Sequence, residues 1–339
     1  MHLAWDEDLL AGYDAVVLSN MRGKSLESFR SLTGKGICRI MRREHPDAIL
    51  LTALSHRFGW AVYICANFMR IPIWLRTETQ DEAFARSGLK SRLRHIFYSL
   101  VYTRIKLTLP IGELNSAHFE SHGVPRSKQI CSPYCVVDRF QALSEIERSA
   151  LRQATRSELG FGQQTILMFC GKLQPKKNPG ILLEAMERMQ ESERRQFGLL
   201  FVGSGELEEE LRIAAAKLGM PVRFVGFKNQ NELPPYYLAA DVLVLPSRQM
   251  GETWGLVVNE ALLAERRVIV SKHVGCHVEF ESLPSVKVFD GSVDDLLRTL
   301  RDPPDPGSTQ GQRKFMEKYS VAAAARGIAQ AMRSDSMGH

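Results

Sequence analysis

The feature that most constrains the fold is an alternation of short apolar runs with segments of helix length. Continuous apolar runs are typical of strands buried on both faces of a parallel sheet. Strands separated by helices predict βαβ units. The runs lie at 13–20, 47–54, 71–77, 106–112, 164–172, 197–205, 222–227, 241–247 and 267–273. The chain is therefore predicted to have an α/β fold built on parallel sheets.

A polar stretch at 136–160 divides these runs into two groups, and 339 residues suffice for two domains. We predict a Rossmann-like domain over 1–135, a linker and connecting helix over 136–160, and a second Rossmann-like domain over 161–312. Ligands bind at the carboxyl ends of strands in open α/β sheets, so we expect the two domains to face each other across a cleft. A helix over 313–339 is expected to pack back on the N-terminal domain.

The basic balance of the chain, a net charge of +6, is concentrated in the run 86–107, which contains no acidic residue. Leu89, Leu93, Ile96 and Leu100 recur there at helical spacing. Such a helix can lie on an anionic membrane, and the alternative is a core helix with a solvated basic face. The sequence contains no nucleic-acid module signature, so we expect no nucleic acid as a partner.

Targeting features and cysteines favour a cytoplasmic protein that is peripheral on the inner face of the membrane. The acidic start "MHLAWDEDLLAGYD" resembles no signal peptide. No apolar run reaches the ~18 residues of a membrane-spanning helix. The six cysteines form no CxxC pair, and we expect reduced thiols rather than disulfides or a zinc site.

Lysines and glycines follow the predicted strand 164–172. Gly171 permits a tight turn, and Lys172 and Lys177 lie in the loop before a helix that begins near Pro179. Cations beside a helix N-terminus form an anion site suited to a diphosphate, and the alternative is a loop of solvated lysines. After the next strand, Gly203 and Gly205 would let the backbone approach a ligand.

The stretch "GETWGLVVNE" contains two carboxylates. Glu252 would stand just before a predicted helix, and Glu260 about a turn and a half inside it. A helix beginning near 253–255 would direct the N–H groups of Gly255, Leu256 and Val257 at a ligand. Carboxylates accept hydrogen bonds from sugar hydroxyls. The pair therefore suits a molecule with a sugar at each end of a diphosphate.

Five motifs in this order resemble the retaining glycosyltransferases of family 4, which have the GT-B fold: "GKLQPKKN", "VGSGE", "FVGF", "YYLAADVLVLPS" and "GETWGLVVNEAL". The resemblance covers about 165–280. More faintly, "RTETQD" and "IGELNSAHFESHGVP" in the N-terminal half resemble the acceptor domain of that family.

The resemblance implies transfer of a sugar from a UDP- or GDP-sugar to a glycan or lipid-linked acceptor, with retention of configuration. It implies that Glu252 contacts the sugar, that Lys172 and Lys177 neutralise the leaving diphosphate, and that Glu260 binds the ribose. The remaining donor-binding residues would be Gly171, Gly203, Gly205, Gly226, Phe227, Thr253, Gly255, Leu256 and Val257. Fixed cations could stabilise the leaving group, so no metal or other cofactor is expected.

On the acceptor side, His56, Arg76 and Glu78 follow predicted strands, where they either serve the acceptor or cap the strand ends. Compared with the family, we expect the N-terminal domain to lack its first βαβ unit. Lys172 stands in place of an arginine, and Glu265 to Arg267 replace a Gly-x-Pro turn. A non-catalytic homologue that binds nucleotide sugar or a partner transferase is the alternative function, and a nucleotide-sugar epimerase is a third.

Overall fold

The computed structural model describes residues 12–16, 18, 29–85, 88–307 and 309–336. These residues divide into two compact units. Unit 1 comprises Glu82–Ala85 and Tyr134–Ala323. Unit 2 comprises the described residues up to Asp81, together with 88–133 and 324–336. Part of the predicted strand 13–20, and Arg86 of the basic run, lie outside the described residues.

Unit 2 contains a parallel three-stranded sheet in the order β1-β2-β3. Its described elements are α1 (Ile37–Glu44), β1 (Ile49–Leu51), α2 (Arg57–Met69), β2 (Ile73–Leu75), α3 (Gly88–Tyr102), β3 (Leu107–Thr108), α4 (Glu113–Ser121) and a 3-10 helix (Arg126–Lys128). Ile73 and Leu75 on the central strand are fully buried, as is Phe119 on α4. The apolar strands therefore form the core of this unit, as expected of a parallel sheet.

Unit 1 contains a parallel six-stranded sheet. Its described elements are α5 (Glu145–Glu158), β4 (Thr165–Cys170), a 3-10 helix (Pro175–Lys177), α6 (Gly180–Arg188), α7 (Glu191–Arg194), β5 (Phe197–Val202), α8 (Glu208–Ala216), β6 (Val222–Phe224), a 3-10 helix (Gln230–Glu232), α9 (Pro234–Ala239), β7 (Val242–Leu245), α10 (Leu256–Leu263), β8 (Arg267–Ser271), α11 (His277–Phe280), β9 (Val286–Phe289), α12 (Val293–Arg301), α13 (Thr309–Met316), a 3-10 helix (Glu317–Tyr319) and α14 (Val321–Ser336). The last part of α14 belongs to unit 2, where Ala331 packs with Trp74 and Leu107.

The strand order in unit 1 is β6-β5-β4-β7-β8-β9. The chain builds the sheet outward from β4 in one direction and then from β7 in the other, which is the doubly wound order of Rossmann-like domains. Phe169, Phe201 and Val244 are fully buried in its core. The two parallel α/β sheets confirm the predicted fold class of two Rossmann-like domains.

Helix α5 lies within 136–160, the predicted linker and connecting helix, and side-chain contacts hold it at its start and along its second half. Ser144 and Glu147 form a capping box at its start. Towards its end, Arg152 and Arg156 contact Asp241 at 2.5 and 3.1 Å. Burial opposes ionisation of Asp241, but the Ile166 N–H and the two guanidinium groups outweigh it and lower its pKa.

The prediction of uniformly reduced thiols is wrong, because Cys38 and Cys65 form a disulfide with Cα atoms 5.8 Å apart. Cys38 lies on α1 and Cys65 on α2, and these helices pack against each other. The pair is 27 residues apart in the sequence, so no local spacing indicated it.

The expected continuous C-terminal helix is interrupted. Helix α13 ends at Met316, a 3-10 turn follows, and Ser320 is extended, with its hydroxyl accepting a hydrogen bond from the Ala323 N–H. Ser320 thus starts α14 as a capping residue. In the described part of the chain, no helix combines the length and apolarity that a membrane span requires.

Candidate functional site

The two central strands of unit 1, β4 and β7, meet where the strand order reverses. In open α/β sheets, ligands bind outside the carboxyl ends of the strands at such a reversal, the switch point. The loop after β4 contains Lys172 and Lys177, and the chain after β7 leads through Ser247 to Glu252. The predicted catalytic residues therefore follow the two strands that form the switch point.

Lys177 and Glu252 form an ion pair across this switch point, with Lys177 Nζ 2.5 Å from Glu252 Oε2. Their side chains are only 16% and 11% exposed. Ser247 Oγ donates to the same carboxylate oxygen at 3.3 Å. Because both side chains are largely buried, they are held in a more fixed arrangement than the side chains of a surface salt bridge. Lys172, in contrast, is exposed.

Helix α10 begins just after Glu252, as the sequence predicted. Gly255 precedes its first residue with φ of 105°, and a Cβ there would lie 2.8 Å from Leu245 Cδ2 and from Val274 Cγ1. Only glycine fits this approach. Thr253 and Val257 are partly buried, and Leu256 is 41% exposed. The start of the helix therefore lies close against the end of β7, with Leu256 at the surface.

The loops after β4 and β5 are joined through their backbones. Leu173 N–H donates to Ser204 O at 3.0 Å, and Gly171 N–H donates to Val202 O at 2.9 Å. A Cβ on Gly203 would lie 2.0 Å from Gly171 O, and one on Gly205 would lie 2.3 Å from Leu173 O. Gly203 and Gly205 therefore allow the loop after β5 to pack closely against the loop after β4. This packing role was not predicted.

Gly226 continues the same arrangement. Its carbonyl accepts a hydrogen bond from Gly203 N–H at 2.8 Å, and it has φ of 71°. Phe227, directly after it, is 43% exposed. An exposed aromatic ring beside a glycine turn offers a surface for stacking.

Glu260 lies inside α10 and is buried, and its Oε2 accepts a hydrogen bond from the Tyr237 hydroxyl. Burial raises the pKa of Glu260, against the hydrogen bonds from Tyr237 and Gln230 and the charge of Arg139. Burial, together with the nearby Glu260, also raises the pKa of the Cys170 thiol to about 12. Neither Tyr237 nor Cys170 was assigned a role from the sequence, although Tyr237 lies in the motif "YYLAADVLVLPS".

A segment distant in sequence, Glu82–Ala85, packs on the loop before Glu252. Gly251 N–H donates to Ala83 O at 2.8 Å, and Phe84 pairs with Met250 in an antiparallel bridge. A Cβ on Gly251 would lie 2.5 Å from Phe84 Cζ. This contact was not predicted, because the segment has no motif of its own.

Trp254 and Asn259 fix the helix start from within. Trp254 Nε1 donates to Asn259 Oδ1 at 2.9 Å, and both side chains are buried. Tyr134 packs edge-on against Trp254 with ring centroids 5.7 Å apart. These residues were also not predicted, although Trp254 lies only two residues after Glu252 in the sequence.

The predicted acceptor-side residues lie in unit 2. His56 precedes α2 and lies 3.0 Å from Ser55 Oγ through its Nδ1. The Arg76 guanidinium donates to Ser132 Oγ and O at 3.1 Å and to Pro133 O at 3.3 Å. Glu78 is exposed. The contacts of Arg76 agree with the alternative in which it stabilises a loop beyond a strand end.

A cavity of about 830 Å³ in unit 1 is lined by residues of 136–148 and 313–322. It includes none of the predicted donor residues. The volume of this cavity therefore does not locate the donor site, whereas the switch point of the sheet does.

Comparison with known proteins gives a family-model match in the central part of the chain. The family model described as "Glycosyl transferases group 1" matches residues 152–298. A D-inositol 3-phosphate glycosyltransferase from Corynebacterium jeikeium is 29% identical over 214 residues, which cover 58% of this chain and 48% of that protein. A GDP-mannose-dependent monoacylated alpha-(1-6)-phosphatidylinositol monomannoside mannosyltransferase from Corynebacterium glutamicum is 31% identical, covering 48% of this chain and 43% of that protein. The chain thus spans about half the length of these curated relatives.

Solved structures agree on the fold. Anabaena HepE in complex with UDP and glucose matches with a TM-score of 0.66 at 18% identity, covering 88% of this chain and 81% of that chain. Sucrose-phosphate synthase from Thermosynechococcus elongatus also has a TM-score of 0.66, at 17% identity, covering 90% of this chain and 78% of that chain. At this identity the likeness concerns the fold.

Proposed function

We propose, from the match of residues 152–298 to the group 1 glycosyltransferase model, that the protein transfers a sugar from a nucleotide-diphosphate sugar to a glycan or lipid-linked acceptor with retention of configuration. The donor would be a UDP- or GDP-sugar. HepE is described in complex with UDP and glucose, and the mannosyltransferase relative is described as GDP-mannose-dependent, which supports this donor class.

The observation that carries the proposal is the Lys177–Glu252 ion pair at the switch point. Breaking a sugar–phosphate bond develops negative charge on the leaving diphosphate, and a fixed cation stabilises that charge most in a site withdrawn from water. In the proposed complex, Lys177 turns to the diphosphate and Glu252 to the transferred sugar. Lys172 adds a second cation from the exposed side of the loop.

The other proposed contacts follow the same order along the donor. The N–H groups of Gly255, Leu256 and Val257 at the start of α10 would bind phosphate oxygens. Glu260 would accept hydrogen bonds from the ribose hydroxyls, and the base would lie by Gly226 and Phe227. With lysines and helix N–H groups neutralising the diphosphate, we propose that the reaction requires no metal.

Two measurements on the full chain separate an enzyme from a non-catalytic homologue. Calorimetry with UDP and with GDP measures nucleotide binding, and chromatography measures diphosphate release from a panel of UDP- and GDP-sugars. The proposal expects binding of one nucleotide and turnover of at least one matching sugar. Nucleotide binding without turnover of any donor, with an extract of lipid-linked acceptors added, would favour the non-catalytic alternative.

We further propose that α3 binds an anionic membrane surface. Leu89, Leu93, Ile96 and Leu100 lie along one face of the helix and are 50 to 71% exposed, so they do not form a core. Lys90, Arg92 and Arg104 are exposed around them. A cationic helix with an exposed apolar stripe is complementary to anionic lipid.

Helix α2 extends this apolar surface. Trp60 on α2 packs against Phe97 on α3 with ring centroids 5.6 Å apart. Ile64 and Phe68 on α2 are 62% and 80% exposed. Membrane contact would bring the protein to a lipid-linked acceptor and would account for a cytoplasmic, peripheral location.

Vesicle co-sedimentation of the full chain tests this surface. We expect binding to vesicles that contain phosphatidylglycerol and little binding to phosphatidylcholine alone. The double variant Leu93→Gln, Leu100→Gln should bind at least about tenfold more weakly, because two apolar side chains no longer insert. Ile146→Gln, at an exposed position on α5, is the matched control. Equal binding by the double variant and the control would contradict the proposal.

A further inference from the structure

A cluster of one carboxylate and two imidazoles in unit 2 has no role in the proposed transfer. His118 lies on α4 and His122 directly follows its last residue, four positions on, so both side chains project from the same side. Asp81 comes from the loop after β2. One donor atom from each of the three residues lies within 4.8 Å of the others.

Asp81 and His118 are already in contact. His118 Nδ1 lies 3.0 Å from Asp81 Oδ2, and its Nε2 lies 2.9 Å from the Tyr102 hydroxyl. His118 is 1% exposed. Nε2 therefore has a hydroxyl partner of the kind that orients an imidazole in a metal site, and Nδ1, which faces Asp81, is the nitrogen on the side of the proposed ion.

His122 is oriented through the backbone. Its Nδ1 lies 2.7 Å from the carbonyl oxygen of His118, to which it donates. Nδ1 is therefore the protonated nitrogen, and Nε2 holds the lone pair that a metal needs. A backbone carbonyl that accepts from the second ring nitrogen is a common partner of a metal-bound histidine.

The carboxylate is also fixed from outside the cluster. Arg94 on α3 pairs with Asp81 Oδ1, while Asp81 Oδ2 lies 3.0 Å from His118 Nδ1 and 4.0 Å from His122 Nδ1. Each of the three side chains thus has an outer partner: Arg94 for Asp81, Tyr102 for His118, and a backbone carbonyl for His122.

We propose that Asp81, His118 and His122 bind a divalent transition-metal ion of the Zn²⁺ class. Two imidazole nitrogens and one carboxylate oxygen are the ligands that Zn²⁺ takes at about 2.0–2.2 Å. Donor atoms around such an ion lie roughly 3–4 Å apart, so closure by about 1 Å completes the site. A cavity of about 430 Å³ lies beside His122, lined also by His95, Tyr102 and Ser121.

The ion would join the loop that contains Asp81 to the end of α4, and through Arg94 to α3. Its role is therefore structural, and the transfer chemistry does not depend on it. Binding should raise the thermal stability of the chain in proportion to its affinity, since only the folded chain brings the three ligands together.

The test uses the full chain after chelator treatment and dialysis, titrated with Zn²⁺ alone and with Co²⁺ alone as an optical probe. We expect one equivalent of Co²⁺ to give visible absorption of the strength typical of a four- or five-coordinate ion, and Zn²⁺ to displace it. Asp81→Asn and His122→Gln should each weaken binding by about tenfold or more. Asp81 is exposed and lies in a loop, so we expect Asp81→Asn to fold. Metal binding can then be measured in this variant even if His122→Gln does not fold.

His273→Gln, which changes a histidine of unit 1, is the control and should bind like the unchanged chain. Circular dichroism confirms that each variant is folded. Failure of the folded chain to bind one equivalent of either ion would overturn the proposal and leave a Tyr102–His118–Asp81 hydrogen-bond network alone. Binding that persists in both variants would overturn it too, by assigning the ion to other groups such as exposed thiols. Neither result depends on transferase activity, so the outcome is independent of the proposed function.

Discussion

Tyr237→Phe removes one hydroxyl from the interior of unit 1 and leaves the ring in place. Tyr237 is 1% exposed, and its hydroxyl donates to Glu260, which is 8% exposed. A hydrogen bond to a charged, buried acceptor contributes about 1.5–3 kcal/mol. The variant should therefore lower the free energy of unfolding by about that amount where Glu260 is ionised.

The loss should depend on pH, with a sign set by the raised pKa of Glu260. A carboxyl group whose pKa is higher in the folded state binds its proton more tightly there. The free energy of unfolding therefore falls as pH rises from the unfolded value of about 4.3 through the folded pKa. Tyr237→Phe removes a contact that lowers this pKa, so it deepens the fall. The difference from the unchanged chain should be about 1 kcal/mol near pH 4, where a neutral hydrogen bond is lost, and should reach its full size above the folded pKa.

Urea denaturation followed by circular dichroism at several pH values measures this difference. Tyr236→Phe is the matched control, since Tyr236 is the preceding residue and is only partly buried. A Tyr237→Phe loss that does not change with pH, or that equals the loss in Tyr236→Phe, would show that the hydrogen bond to ionised Glu260 does not stabilise the chain. If Glu260 also binds ribose, the same variant should weaken nucleotide binding more at low pH than at high pH.

Two further substitutions test the framework of the site. Gly203→Ala should destabilise the chain by more than about 2 kcal/mol, because its Cβ would lie 2.0 Å from Gly171 O. Gly219→Ala, at φ of 63° with open space around it, should cost only about 1–2 kcal/mol, and equal losses in urea denaturation would contradict the clash. Asp241→Asn should cost about 1.5–3 kcal/mol near pH 7, because Arg152 and Arg156 lose their charged hydrogen-bond partner while Arg152 keeps backbone carbonyls. The lowered pKa of Asp241 contributes stability that is present above about pH 4 and is lost as pH falls through the folded pKa. The free energies of unfolding of the variant and the unchanged chain should therefore converge in acid. A difference that stays constant with pH would argue against the ion pairs.

The sheets were predictable because their strands are continuous apolar runs. Eight of the predicted runs correspond to the strands β1 to β8. Strand β9 was missed, because "VKVF" has a lysine in its centre and reads as a short polar segment. The start of α10 was predictable from Gly255 and the apolar residues that follow it.

The partners within the site were not predictable, because they are set by distances between segments far apart in sequence. The motifs suggested separate roles for Lys177 and Glu252. They did not indicate that the two side chains form an ion pair. The Tyr237–Glu260 contact and the packing of Phe84 on Gly251 depend on where the sheet brings each loop. The same is true of the Cys38–Cys65 disulfide.

Glu265 illustrates how a departure from the family pattern is accommodated. It has φ of 61° where the family has a glycine, and a non-glycine residue there costs about 1–2 kcal/mol. Its carboxylate pairs with Arg148 at 3.0 Å and with Arg313. The ion pairs offset the backbone cost, which the sequence alone did not indicate.

We propose that Glu252 and its partner Lys177 form the reacting end of a sugar-donor site. The decisive measurement is the rate of nucleoside diphosphate release from the matching donor sugar, compared between the unchanged chain and Glu252→Gln. We expect measurable release by the unchanged chain and a loss of about 10²- to 10³-fold in the variant, with nucleotide binding retained in calorimetry. Equal release by both proteins would show that Glu252 has no part in the transfer.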